Sequence, residues 1–143
     1  MKKVNFLALI SVGLSAISVF LPWLETSSAA SFGEYNSSYS SGGISGIICG
    51  GGVFALLSAL VGGYLALINS KWSAFPGILN LLNGLGYLFG WLGAGGRASY
   101  SSNFGGVSAK VSVNPQFGLY LFVFTSFLFV IFTLKNLQAI KVE

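Results

Sequence analysis

The chain has 143 residues, 54% of them hydrophobic and only 7% charged, with a net charge of +4. A soluble domain carries about a quarter of its residues as charges, so this composition speaks against a water-covered globule and for lipid as the natural solvent. No histidine and a single cysteine, Cys49, exclude an internal disulfide, a zinc site of cysteine and histidine, and histidine-dependent triads.

In chain order, the first apolar run is Val4 to Leu24, behind the lysine pair Lys2–Lys3. "SSAAS" follows it, as after a secretory signal. A signal's apolar region is about 7–15 residues long; this run has 21 and ends in bulky "PWL". It is therefore expected to remain as a span, with Trp23 at its outer exit. Three further runs follow at about 44–68, 74–94 and 117–134, each close to the roughly 20 residues that cross a bilayer core and none with a charged side chain. The expected fold is an all-α integral membrane protein: one four-transmembrane-helix bundle over residues 1–143. A small extracytoplasmic β-structure is expected from the outer loops, 25–43 and 95–116, mainly from the second.

Charge placement sets the orientation. Lys2, Lys3, Lys71, Lys135 and Lys141 fall at the ends or in the short turn "NSKWS", so the positive-inside rule puts both termini in the cytoplasm. Arg97 and Lys110 then lie outside with Glu25 and Glu34. The basic residues form no stripe, which excludes nucleic acid as a partner. In the second loop Val107, Ala109, Val111 and Val113 alternate with polar residues, as in a strand. Gly105–Gly106 suits a hairpin turn and Asn114–Pro115 a strand end. In the first loop Tyr35 and Tyr39 fit one face of a strand or of a helix, and Phe32 breaks the alternation. "FLPWL" at 20–24 and "FGWL" at 89–92 form a faint repeat, as expected of tryptophans at an interface.

Helices in lipid associate through small residues. Such stripes run through Ala8, Ser11, Ser15, Ser18 and Pro22; through Gly51, Ala55, Ser58, Ala59, Gly62 and Ala66, with Gly46 and Gly50 as an added small pair; and through Asn83, Gly86, Gly90 and Ala94, with Asn80 at the flank. The expected packing residues are Gly51, Ala55, Ala59, Gly62, Asn83, Gly86 and Gly90. In the last span the seam is expected at Leu119, Val123, Ser126, Val130 and Thr133, with the phenylalanines, Phe122 and Phe129 included, turned outward. Glu25 and Glu34 read as solvated loop charges, and Cys49 as a packing residue with no base beside it.

Four spans, inward termini, a β-bearing outer face and a tryptophan at the first exit resemble the claudin-like tetraspan architecture. In claudins the first outer loop is the larger and carries a W-GLW-C-C pattern. This chain has neither that loop order nor those residues, so no seal function and no ligand residues carry over. The lysine pair and "LPWLE" also resemble small four-span bacterial membrane proteins. The expectation is a non-enzymatic protein of the bacterial inner membrane, without catalytic, cofactor or metal residues. Its partners would be the lipid bilayer and other membrane subunits or further copies of itself, reached through Tyr35, Tyr39, Tyr100 and Phe104. The rival expectation is an oligomeric pore lined by Ser11, Ser15, Ser18, Asn80 and Asn83.

Overall fold

The computed structural model describes residues 5–68, 70–91 and 98–142. The expectations for Lys2, Lys3, Ala94 and Arg97 lie outside the described residues. The elements in order are α1 (Phe6–Ser18), β1 (Pro22–Phe32), β2 (Tyr35–Ser40), β3 (Ile44–Ser45), α2 (Gly50–Leu67), α3 (Ala74–Leu88), β4 (Ala98–Phe104), β5 (Val107–Pro115) and α4 (Phe117–Val142). Among the described residues the fold is mixed, four helices and a five-stranded antiparallel sheet, which corrects the all-α four-span expectation.

The correction begins at Pro22. The residue before a proline is driven out of the helical region, so the run that reads as 21 apolar residues divides. Asn5 starts α1 by accepting the Ala8 N–H at 3.1 Å, and the helix ends at Ser18. Pro22 then opens β1, at the first position of a strand, where a proline is tolerated. The second run also starts late: Ile44–Ser45 is a short strand on β1, and α2 begins only at Gly50. At about 1.5 Å per residue, α1 and α3 reach about 20 and 22 Å, short of the roughly 30 Å core. Among the described residues, only α2 and α4 are long and apolar enough to cross a membrane.

The sheet order is β2-β1-β5-β4, with β3 also on β1. Both outer segments build it, and the first supplies its longest strand, which corrects the emphasis on the second. Gly33–Glu34 joins β1 to β2 and Gly105–Gly106 joins β4 to β5. Gly105 and Gly106 have φ of 58° and 83°, the left-handed pair that a two-residue hairpin turn requires. Phe32 breaks the alternation because it lies across that first turn from Tyr35, on the other strand.

The helices form a ring in which α1 packs on α2 and α4, and α3 on α2 and α4. Their insides are small and polar: Ser11, Ser15, Ser58, Asn80, Asn83, Thr125, Ser126 and Thr133 are buried. Their outsides are apolar, with Phe6, Ile10 and Ile17 on α1, Phe54 and Leu57 on α2, Phe75 and Leu82 on α3, and Phe124 and Phe127 on α4 all exposed. Phe122 and Phe129 turn inward, against expectation, because α3 makes room for them. A Cβ at Gly77 would come 2.5 Å from Phe129, and one at Gly84 2.7 Å from Val123 and 3.0 Å from Phe122.

Where the sheet meets the helices, Val19, Trp23, Leu24, Ala55, Val113, Leu119 and Phe122 form one core. Trp23 is fully buried and not an interfacial anchor. Its indole N–H donates to the Ser18 carbonyl at 2.9 Å, and its ring lies 4.8 Å from Phe122 and 5.7 Å from Tyr87. Gly46 sits in the turn before α2, not in a helical small pair, and a side chain there would overlap the indole. Gly46→Ala should therefore lower the melting temperature in detergent, at a cost of about 1–3 kcal/mol or more. Gly13→Ala, on the open side of α1 with nothing within 4 Å, should be neutral or raise it by up to about 1 kcal/mol. Equal loss at both positions would remove the Trp23–Gly46 contact as the cause.

Candidate interaction surface

Side chains alternate between the faces of a strand, and directly paired residues share a face. The register therefore sorts the sheet into two surfaces. On one face, the row farthest from the helices is Tyr35, Phe32, Val107 and Phe104. Tyr35 is 83% exposed, Phe32 61% and Phe104 90%. The next rows on that face are Ser37, Ala30, Ala109 and Ser102, then Tyr39, Ser28, Val111 and position 100. Closest to the helices, Val113 and Leu24 of this face enter the core. The face thus passes from a buried apolar root to an exposed aromatic rim.

The opposite face is polar and small. Asn36, Ser38 and Ser40 of β2 stand beside Ser31, Ala29 and Ser27 of β1. Ser108, Lys110 and Ser112 of β5 continue the rows. Hydroxyls pair across strands, Ser27 with Ser112 at 2.6 Å and Ser31 with Ser108. A trough of about 440 Å³ lies on this side, lined by Asn36, Ser38, Ser101, Asn103, Ser108 and Lys110 among others. Glu25 ties the root of the sheet together, accepting from Ser40 at 2.8 Å and from Gln116 at 2.6 Å.

The four expected contact residues divide between the two edges of the sheet. Tyr35 and Tyr39 lie on β2, an outer strand; Tyr100 and Phe104 lie on β4, the other outer strand; the register puts all four positions on the aromatic face. Phe32 and Val107 belong to the same rim; the place of Phe32 was legible only once Gly33–Glu34 is taken as a turn. Lys110 and Gln116 had no signal beyond being polar.

The expected packing residues divide. Ala55 is fully buried and Ala59 nearly so. Gly62 faces Phe129, where a Cβ would come within 3.2 Å of the ring. Gly51 lies under Tyr87 and Asn83: its N–H donates to the Tyr87 hydroxyl at 2.8 Å, and its carbonyl accepts from the Asn83 amide at 3.0 Å. Asn80 likewise donates to the Ala55 carbonyl at 3.2 Å. Gly86 is buried on the side of α3 that, with Phe54, Leu79, Leu82 and Trp91, lines a shallow apolar groove. Gly90 closes the C-terminal end of α3. It has a φ of 75°, its N–H donating to the Tyr87 carbonyl and that of Trp91 to the Gly86 carbonyl, a paired C-terminal cap. Ser11, Ser15 and Ser18 bond to carbonyls of their own helix, and Ser15 also reaches Thr125 at 2.8 Å.

Among the described residues no group of histidine, cysteine, aspartate and glutamate could hold a metal. Comparison with known protein families, with curated proteins and with solved structures finds no match to this chain.

Cys49 caps the start of α2 without a side-chain hydrogen bond, and burial pushes its thiol above the ordinary range. The thiolate is the reactive form, so little of it exists near neutral pH. Maleimide should label Cys49 several-fold more slowly than a cysteine placed at exposed Ser38, with the rate rising about tenfold per pH unit well into the alkaline range. Equal rates at pH 7 would mean that the thiol stands in water.

Proposed function

We propose that this chain is a non-enzymatic membrane protein that works through protein–protein contacts. Its helical layer is held in lipid, and its sheet is presented outside as the contact surface. The observation that carries the reading is the aromatic rim of Phe32, Tyr35 and Phe104, exposed at the end of the sheet farthest from the helices. Large rigid side chains among adaptable serines form the mixture used by binding loops. A rim with no structural duty has no other reason to be aromatic, because exposed apolar clusters invite association.

Lipid is supported by the reversed polarity of the helices, apolar outside and small or polar inside, and by the reach of α2 and α4. Lys71 and Lys135 lie toward the end of the helices away from the sheet, while the sheet end carries Glu25 on β1 and Glu34 in the turn after it, against Lys110 on β5. Positive charge stays on the cytoplasmic side, so the sheet faces outward and both termini inward, in a bacterial inner membrane. The serines and asparagines that a pore would need bond instead to backbone carbonyls, which favours the contact role.

In a Cys49→Ser background, single cysteines at Ser38, Ser70 and Ser102 test the orientation. An impermeant thiol reagent outside intact cells should label 38 and 102 and spare 70; the reverse would invert the protein. Tyr35→Ala with Tyr39→Ala should release whatever co-purifies, or lower the oligomeric mass, while the amount of folded protein in the membrane stays the same. Unchanged assembly, together with ion flux in vesicles that Asn83→Leu abolishes, would replace this reading with the pore.

A further inference from the structure

We infer that the partner of the sheet is a second copy of this chain, joined edge to edge, with β2 of one copy adding antiparallel to β4 of the next. The inference rests on the membrane reading above, because lipid is what gives all copies the same orientation.

Among the described residues, neither outer strand carries the lysine, proline or bulge that commonly protects an edge. β2 reads "YNSSYS" and β4 "ASYSSNF", with no charge and no proline, and their pairings with β1 and β5 run without a register shift. Their backbone groups are therefore available to a further strand.

The hydrogen-bonding parity of the two edges matches. In β2 the inward groups belong to the odd-numbered residues, as the Ser41 N–H donating to the Thr26 carbonyl at 2.9 Å shows. Asn36, Ser38 and Ser40 then point their backbone groups outward. In β4 the turn bond between Phe104 and Val107 uses the inward groups of Phe104. Asn103 and Ser101 therefore point outward. Pairing Asn36 with Asn103 and Ser38 with Ser101 joins outward groups to outward groups, and Ser37 meets Ser102 between them.

Strand direction decides which edges meet. Along β2-β1-β5-β4 the chain runs alternately toward and away from the helices. β2 runs toward them and β4 away. Copies standing the same way up in one bilayer can pair β2 with β4 antiparallel, continuing the alternation. Pairing β2 with β2, or β4 with β4, would be parallel. The β2–β4 join also extends the rows of the aromatic face, with Tyr35 next to Phe104 and Tyr39 next to position 100. Such a head-to-tail contact closes into a ring or continues as a filament.

The test uses Ser37 and Ser102, which become a non-hydrogen-bonded pair in this register. Their Cα atoms would lie about 4.5 Å apart, within the span a disulfide bridges. In the Cys49→Ser background, membranes carrying Ser37→Cys with Ser102→Cys should give, on mild oxidation, a ladder of disulfide-linked species. Mixing the two single variants in one membrane should give only the mixed dimer, and each single variant alone should stay monomeric on a denaturing gel. Ser38→Pro keeps the bonds of β2 to β1 but removes an outward N–H, and should abolish the ladder while the amount of membrane-inserted protein is unchanged. Strong homodimers of the Ser37→Cys variant alone, no 37–102 product, or a ladder that survives Ser38→Pro would each overturn the inference. Alkaline extraction of the same membranes separates the two failures: protein washed off in carbonate sinks the membrane reading, whereas protein retained without crosslinks sinks only the edge pairing.

Discussion

The hydrogen bond from the Trp23 indole to the Ser18 carbonyl is the hinge of this protein. It closes the reversal in which α1 ends and β1 leaves at Pro22, and it lets a large polar-tipped ring be buried with its one donor satisfied. The ring packs against Phe122 and, edge to face, against Tyr87, so α3 and α4 are held to the same point. Three glycines make the approach possible. Gly46 lies against the indole, a side chain at Gly52 would overlap the Gly46 carbonyl, and a Cβ at Gly118 would come 2.5 Å from the Pro22 carbonyl. Sheet and helices therefore share one core instead of being linked by loops.

Deeper in the helical layer the same economy of space holds. Where water offers no drive, helices cohere by close contact and by polar bonds to the backbone. Gly62 and Gly77 accommodate Phe129, and Ala8, Val12, Ala59 and Ala66 complete that cluster. Asn5 spans from the start of α1 to the Phe132 carbonyl at 2.6 Å, and Ser58 reaches the Pro76 carbonyl at 3.1 Å. Two buried atoms, Asn80 Oδ1 and Ser126 Oγ, make no bond within the protein. They are on facing helices, in the stretch between the Gly77–Phe129 and Gly84–Phe122 contacts.

The second hairpin was legible because Val107, Ala109, Val111 and Val113 alternate with polar residues. The first was not, for a physical reason. Its face toward the rim reads Thr26, Ser28, Ala30 and its other face Ser27, Ala29, Ser31, so the two faces barely differ in hydropathy. Its aromatic residues, Phe32 and Tyr35, are brought side by side only by the turn at Gly33. Hydropathy also concealed the break at Pro22, since "PWL" is as apolar in a strand root as in a helix. The small stripes were legible on α1 and α2, but the partner of a glycine was not: the holes at Gly77 and Gly84 are filled by Phe129 and Phe122, residues whose size alone suggested the outside. The proposed contact positions Tyr35, Tyr39, Tyr100 and Phe104 were readable as aromatics in polar surroundings, while their placement on one face of the sheet needed the register.

Glu25 and Gln116, hydrogen-bonded at the root of the sheet, are 91 residues apart in the chain. The β1–β5 pairing around them has the same long reach. At a synthesis rate of roughly 5–20 residues per second, β1 and β2 wait on the order of 5–20 seconds for β5 to be made. During that interval the strand that will be central in the sheet has an open side. Loop closure of this length is the slow kind of contact to form. The sheet thus stays unfinished until β5 is made, just ahead of α4, and a nascent chain is open to strand pairing with a neighbour on a side that the finished protein keeps for itself.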